Sequence, residues 1–182
     1  MEKLKGVKVA ILATDGYEEE ELVKPMDALK KSGAEVHVIA PEKGKIKGWD
    51  HGEWGNDVDV DFTISEADAD DYDALLIPGG VINPDKLRRD ETAVQFTSRF
   101  FVLDKPVASI CHGPQMLIEA EVVKDRTMTS FFSIKKDLQN AGAKWVDKEV
   151  VVDGKLITSR NPGDLKVFNK TVIDFLAQVA KG

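Results

Sequence analysis

The sequence has one cysteine and three histidines among 182 residues, and each scarcity closes off a class of protein. A lone cysteine cannot form an intrachain disulfide, so the chain does not read as a stapled secreted domain. The histidines never fall into HxH or HExxH spacing and no CxxC occurs, so no metal is expected. Long apolar runs are missing as well. Ala74–Ile77 and Val107–Cys111 fall far short of the roughly 20 residues that cross a bilayer, and no membrane partner is expected. The opening Met1-Glu2-Lys3-Leu4-Lys5-Gly6 alternates charge without an apolar signal segment, so a cytoplasmic protein is expected. Positive charge is in short supply: 25 basic against 32 acidic residues leave a net charge of −7, which argues against stable nucleic-acid binding. Lys43-Gly44-Lys45-Ile46-Lys47 is the nearest thing to a basic cluster and reads as a solvated hairpin arm. It lacks the spacing and the following Ser/Thr of a phosphate-binding loop.

What is present suits one α/β domain spanning 1–182. The chain is 42% hydrophobic and 31% charged, enough apolar material for a sizeable core under a soluble surface. Val7–Ala13 is an apolar run with one polar interruption, Lys8, as in a strand covered on both faces. Leu22, Met26 and Leu29 follow at helical spacing and Gly33 closes the helix, before a second strand at Glu35–Ala40. Residues 44–61 read as a hairpin or irregular excursion. Further buried strands are expected at Asp73–Pro78 and Val107–Ile110, with helices at Thr92–Leu103, from Gly113-Pro114, at Ile134–Ala141 and at Asp164–Ala180. Gly154-Lys155 makes a two-residue turn between strands Glu149–Asp153 and Leu156–Ser159. Strands alternating with helices predict a flavodoxin-like, doubly wound, mostly parallel sheet with helices on both faces.

In such a sheet, chemistry gathers where strands end and helices begin. Ser109-Ile110-Cys111-His112-Gly113-Pro114 lies at such a junction and has the small-x-Cys-x-Gly pattern of a nucleophile elbow. A cysteine at a helix N-terminus is expected to favour its thiolate, and the His112 amide is placed to face an oxyanion. Most free cysteines are inert, small, buried residues. The elbow residues around Cys111 favour the nucleophile. Pro78-Gly79-Gly80, at the end of another buried strand, offers a second set of amides from Gly79 and Gly80, though Pro-Gly-Gly is also ordinary turn chemistry.

Glu18-Glu19-Glu20-Glu21 opens the first helix, where acids complement the helix dipole. Glu21 differs, because Pro25 cannot donate to its carbonyl, so the helix is either just beginning or distorted there. A glutamate on this turn can point across the sheet end toward Cys111, and one touching the sulfur has to be protonated. The residues alone leave Glu21 open between a capping acid and a partner of the thiol. His37, in a strand, reads as structural. His51, in the turn-rich Trp49-Asp50-His51-Gly52-Glu53-Trp54, is a loop residue of the kind that can line a site. His112 is the strongest base, provided the backbone bends enough for neighbouring side chains to meet.

The strings Leu76-Ile77-Pro78-Gly79-Gly80, Lys105-Pro106-Val107-Ala108-Ser109-Ile110-Cys111-His112-Gly113-Pro114, Thr129-Ser130, Asn140-Ala141-Gly142-Ala143 and Ser159-Arg160 resemble the PfpI family of intracellular cysteine hydrolases. That family sits in the superfamily of the parkinsonism-associated protein deglycase, with a class I glutamine amidotransferase-like fold. The resemblance implies that Cys111 is the nucleophile, His112 its neighbour and Glu21 the glutamate that bonds the sulfur. It also implies a homodimer or higher homo-oligomer, with no cofactor. A glutamate from a neighbouring subunit is proposed to complete a triad in protease-like members. The matching position here is Asp85 in Asn83-Pro84-Asp85, shorter and displaced by one residue, a departure that weakens the triad. Phe131 and Phe132 match a pocket stretch where relatives often carry Tyr or Trp followed by Pro.

Three functions fit these residues. The first is a stress-protective hydrolase or lyase acting on glyoxal or methylglyoxal, or on their early adducts with protein or nucleotide groups. The second is an intracellular cysteine peptidase using the same nucleophile. The third is a non-enzymatic redox sensor or chaperone whose cysteine oxidises reversibly. The incomplete triad favours the first over the second.

Overall fold

The computed structural model describes residues 2–180. Its first half carries β1 (Lys8–Leu12), β2 (Tyr17–Glu18), α1 (Glu19–Lys31), β3 (Glu35–Ala40), β4 (Lys45–Asp50), β5 (Glu53–Asp59), β6 (Phe62–Thr63), β7 (Ala74–Ile77), α2 (Ile82–Leu87) and α3 (Glu91–Val102). There follow β8 (Val107–Ile110), α4 (Gln115–Glu119), β9 (Thr127–Met128), α5 (Lys135–Asn140), β10 (Lys144–Trp145), β11 (Val150–Asp153), β12 (Leu156–Ser159) and α6 (Leu165–Val179).

Seven strands form the central sheet in the order β11-β12-β8-β7-β1-β3-β6. Every pairing in it is parallel except the β11–β12 hairpin at one edge. The doubly wound sheet expected from the alternating pattern is what forms. Side chains of β1 alternate between two cores. Val9 and Ile11 pack with Leu22, Leu29, Phe168 and Leu176 of α1 and α6, whereas Ala10 and Leu12 pack with Phe96, Phe100, Met116 and Leu117 of α3 and α4. Both faces are therefore covered, which is why the central strands are apolar throughout rather than alternating. A fully buried Phe such as Phe100 or Phe168 contributes roughly 1.5–3 kcal/mol by leaving water.

Two regions were only partly legible. Residues 45–59 form a regular hairpin, joined through β2 into a separate three-stranded sheet, β2-β4-β5. This hairpin is fixed to the main body. Glu19 accepts from the Asn56 amide at 2.7 Å and its side-chain Nδ2 at 2.9 Å, while Asp15 accepts from the Lys47 amide at 2.8 Å. The expected helix from Gly113-Pro114 is preceded by turns and amounts to the five residues of α4. Helix α2 follows Pro78-Gly79-Gly80 and had no periodic signal, being six residues long with a proline inside.

Candidate active site

Because β1, β7 and β8 are adjacent and parallel, their carboxyl ends open at one edge, and the loops after them converge there. Cys111 sits one residue past β8 with φ +61°, a left-handed conformation that costs a non-glycine residue roughly 1–2 kcal/mol. Both backbone polar groups of Cys111 are tied down: its amide donates to Ser159 O at 3.1 Å, and its carbonyl accepts from the Phe131 amide at 2.9 Å. Gly113 lets the elbow lie against β7, since a Cβ there would meet Ile77 O at 2.7 Å and Ile110 O at 2.9 Å. The elbow read from the sequence is therefore present, with the strain such turns carry.

The bend brings neighbouring side chains together. Cys111 Sγ lies 3.3 Å from His112 Nδ1, and His112 Nε2 lies 3.1 Å from Ser133 Oγ. The imidazole stacks on Phe131 with centroids 4.9 Å apart and 26° between planes. Burial lowers its pKa below the ordinary histidine value.

Glu21, in the first turn of α1, is fully buried against the same sulfur. The helix is just beginning there, so Pro25 costs Glu21 nothing beyond one carbonyl bond. Glu21 Oε2 accepts from the Gly79 amide at 2.8 Å, while Oε1 is buried with no ordinary hydrogen-bond partner among the described residues. Burial pushes its carboxyl up to about 8, against the opposing pull of Cys111 and the Gly79 amide. The thiol is also pushed up, first by burial and then by Glu21, while the amides of Gly80 and His112 pull it down. The sequence had suggested an acidic thiol at a helix N-terminus. A five-residue α4 supplies little dipole, and burial outweighs it.

Not every expected site residue arrives. The Gly79 amide is engaged by Glu21, which leaves Gly80 and His112 as the amides directed at the sulfur. Asp85 is exposed on α2 and makes no hydrogen bond or ion pair to His112 within the chain. Phe131 lines the pocket, but Phe132 is 72% exposed and only tilts against it. His51 is exposed at the β4–β5 turn, with Nδ1 2.6 Å from Asp50 Oδ1. It does not line the pocket, although its amide donates to the carboxylate of Glu18, which does.

Cys111, His112, Glu21 and Glu18 open into a cavity of about 440 Å³. Its remaining walls are apolar, from Trp49, Val81, Ile82, Phe131 and Pro162. Glu18 and Trp49 were not singled out from the sequence. They arrive together because β2 pairs with β4 in the register Glu18↔Trp49, a two-strand contact without a periodic signature. Glu18, Asp50 and His51 also place ligand atoms within 4.8 Å of one another, a grouping that no sequence spacing announced.

A parallel sheet whose strand end presents a strained cysteine beside a buried glutamate defines a class, and comparison with known proteins gives its family. The DJ-1/PfpI family model matches residues 7–175. Deglycase PfpI of Pyrococcus furiosus is 43% identical over 170 residues, covering 93% of this chain and 99% of that protein. YraA of Bacillus subtilis, which carries a provisional cysteine-protease name, is 45% identical over 169 residues, covering 93% and 98%. A crystal structure of a two-domain protein from Anabaena variabilis, with DJ-1/ThiJ/PfpI-like and ferritin-like domains, superposes with TM-score 0.88 at 42% identity. That match covers 93% of this chain and 48% of the larger one, so the chain spans about half the length of that structure. The chain belongs to the DJ-1/PfpI family, whose relatives' names support an enzyme with a deglycase or hydrolase role. Among the described residues no helix is long and apolar enough to cross a membrane.

Proposed function

We propose that this protein is a cysteine-dependent deglycase or glyoxalase acting on methylglyoxal, glyoxal and their early adducts. The observation that carries the reading is the pairing of Cys111 with a buried carboxyl that keeps its proton near neutral pH, with no acid bonded to His112 among the described residues. Such a site suits addition to an aldehyde. The sulfur bonds to the aldehyde carbon, the carbonyl electron pair moves to oxygen, and that oxygen takes a proton from the Glu21–Cys111 pair. The amides of Gly80 and His112, which are directed at the sulfur, serve in this reading as donors to the developing oxyanion. With free methylglyoxal, a proton then moves from the sulfur-bearing carbon to the neighbouring carbonyl carbon while the new hydroxyl passes its proton to that carbonyl's oxygen, giving a thioester. Water cleaves that thioester, so that lactate leaves and the thiol is restored. Glu21 and His112 are the proton carriers.

Peptide cleavage is the second reading, favoured by the 3.3 Å Cys111–His112 contact and by the name of the YraA relative. It requires a charged, oriented imidazole to protonate a poor amine leaving group. Burial lowers the His112 pKa, and among the described residues no carboxylate bonds to the ring. Parallel incubation with methylglyoxal and with unstructured peptides, followed by product identification, tests the ranking. Lactate formed by wild type and lost in Cys111→Ala is expected. Cys111-dependent proteolysis without dicarbonyl turnover would reverse the order.

A further inference from the structure

Asn83 takes no part in the chemistry proposed above, yet it is fully buried and both ends of its side chain are engaged. It lies in the first turn of α2. Its Oδ1 accepts from the Thr14 amide at 2.8 Å, just past the end of β1. Its Nδ2 donates to Pro78 O at 3.0 Å, just past the end of β7. One partner is a donor and the other an acceptor, which fixes the orientation of the amide. A carboxylate of the same shape fails at one contact, and an aliphatic side chain fails at both.

The two loops joined in this way carry groups that surround the sulfur. From Thr14 the chain runs through Glu18 into the first turn of α1, which holds Glu21. From Pro78 it runs through Gly79 to Gly80. A trans peptide group points its oxygen and its N–H in opposite directions, so holding one end aims the other. The group between Pro78 and Gly79 has its oxygen on Asn83 and its N–H on Glu21 Oε2 at 2.8 Å. The next group has its oxygen on the Glu18 amide at 3.3 Å, and its N–H, that of Gly80, is directed at Cys111. Gly80 stands at φ +84° and has no side chain of its own to anchor it. The aim of both amides therefore begins at the Pro78 oxygen.

We infer that Asn83 is a positioning residue: by holding the Thr14 and Pro78 loops together it aims the Gly79 amide at Glu21 and the Gly80 amide at the sulfur. Its effect on turnover rests on the deglycase reading above, whereas its effect on the sulfur rests on the geometry alone. An asparagine that served only as a tie between loops would lower stability and leave the reactivity of the sulfur untouched.

Cys111 is the sole cysteine, so its exchange with 2,2′-dipyridyl disulfide reports the nucleophile without any turnover. The measurement is made at pH 5, where Glu21, raised to about 8, holds its proton. Asn83→Ala, with its fold checked by circular dichroism, exchanges about tenfold more slowly than wild type, because the Gly80 amide no longer supports the thiolate. Asn83→Leu, of similar size, repeats the comparison if the alanine variant does not fold. Asn83→Asp is the rescue. Burial keeps its new carboxyl protonated at pH 5, able to accept from Thr14 and donate to Pro78, so it exchanges within about twofold of wild type. A folded Asn83→Ala or Asn83→Leu that exchanges at the wild-type rate overturns the assignment, as does an Asn83→Asp as slow as they are. In methylglyoxal turnover Asn83→Ala loses about tenfold in kcat with KM within about twofold, the pattern of a donor acting in the transition state. A loss expressed in KM alone overturns the assignment. Slowed exchange in Asn83→Ala, with no methylglyoxal turnover even by wild type, leaves the positioning role standing and removes the deglycase reading. Turnover by wild type, with exchange and kcat unchanged in Asn83→Ala, does the reverse.

Discussion

Glu21 and Cys111 come from the ends of two different strand-to-helix connections, yet they share one buried corner and oppose each other's ionisation. A thiolate forms there on condition that Glu21 keeps its proton, because two adjacent buried anions would each raise the cost of the other. The carboxyl is thus a proton store placed against the nucleophile rather than a second negative charge.

That store has a cost in stability with a definite sign. Glu21 is raised from 4.5 to about 8 in the fold, so between these values the folded chain holds a proton that the unfolded chain has released. Stability therefore falls as pH rises through this window, and the loss is complete above about 8. Glu21→Gln has no proton to lose. Urea unfolding at pH 5 and pH 8 should show the variant gaining on wild type by roughly 1–4 kcal/mol at the higher pH, while its turnover drops. Parallel pH profiles for the two proteins would mean that Glu21 titrates normally.

Gly79 holds the corner open. A Cβ there would come within 2.7 Å of Cys111 Cβ and 2.8 Å of Ile110 O, and it would strike Glu21 Oε2 as well. Gly79→Ala should cost about 1–3 kcal/mol through overpacking and should lower turnover by at least tenfold through displacement of both side chains. Thermal unfolding and methylglyoxal turnover check the two effects. An active, fully stable alanine variant would show that the corner gives way easily.

The parts of this site that the sequence disclosed are those built on a single turn. Cys111, His112 and Gly113 carry a local elbow pattern, and Glu21 sits where a proline four residues on marks an unusual first turn. The central sheet was legible for a similar reason, since apolar runs such as Ala74–Ile77 have only one way to be covered. Trp49 and Glu18 meet through a two-residue parallel pairing with no period to detect. The engagement of the Gly79 amide by Glu21 is likewise invisible, because the two residues are 58 positions apart. The upward pull on the thiol is hidden for the same reason: local sequence shows the helix start but not how short the helix is, nor how deeply the sulfur is buried.

Asp85 separates the two enzymatic readings. It is exposed on α2 and bonds nothing at His112 within the chain. Asp85→Asn should leave methylglyoxal turnover within about twofold of wild type, the range of a surface change remote from chemistry. If a partner subunit supplied this acid to His112, peptide cleavage would collapse in the same variant while dicarbonyl turnover held.

The charge state of His112 decides what the cysteine can expel. Burial lowers its pKa, Phe131 covers one face of the ring, and Ser133 Oγ lies 3.1 Å from Nε2. The resting imidazole is therefore neutral at pH 7, and its C–H signals in NMR should titrate below 6.5. Expelling a peptide amine needs an imidazolium, whereas addition to an aldehyde has no amine to expel. His112→Asn should accordingly abolish any peptide cleavage but lower methylglyoxal turnover only about 10–100-fold, with Glu21 still moving the proton. Cys111→Ala should abolish both. A ring titrating well above 6.5, together with equal losses in the two assays on His112→Asn, would place the proton chemistry on histidine and return the site to the peptidase pattern.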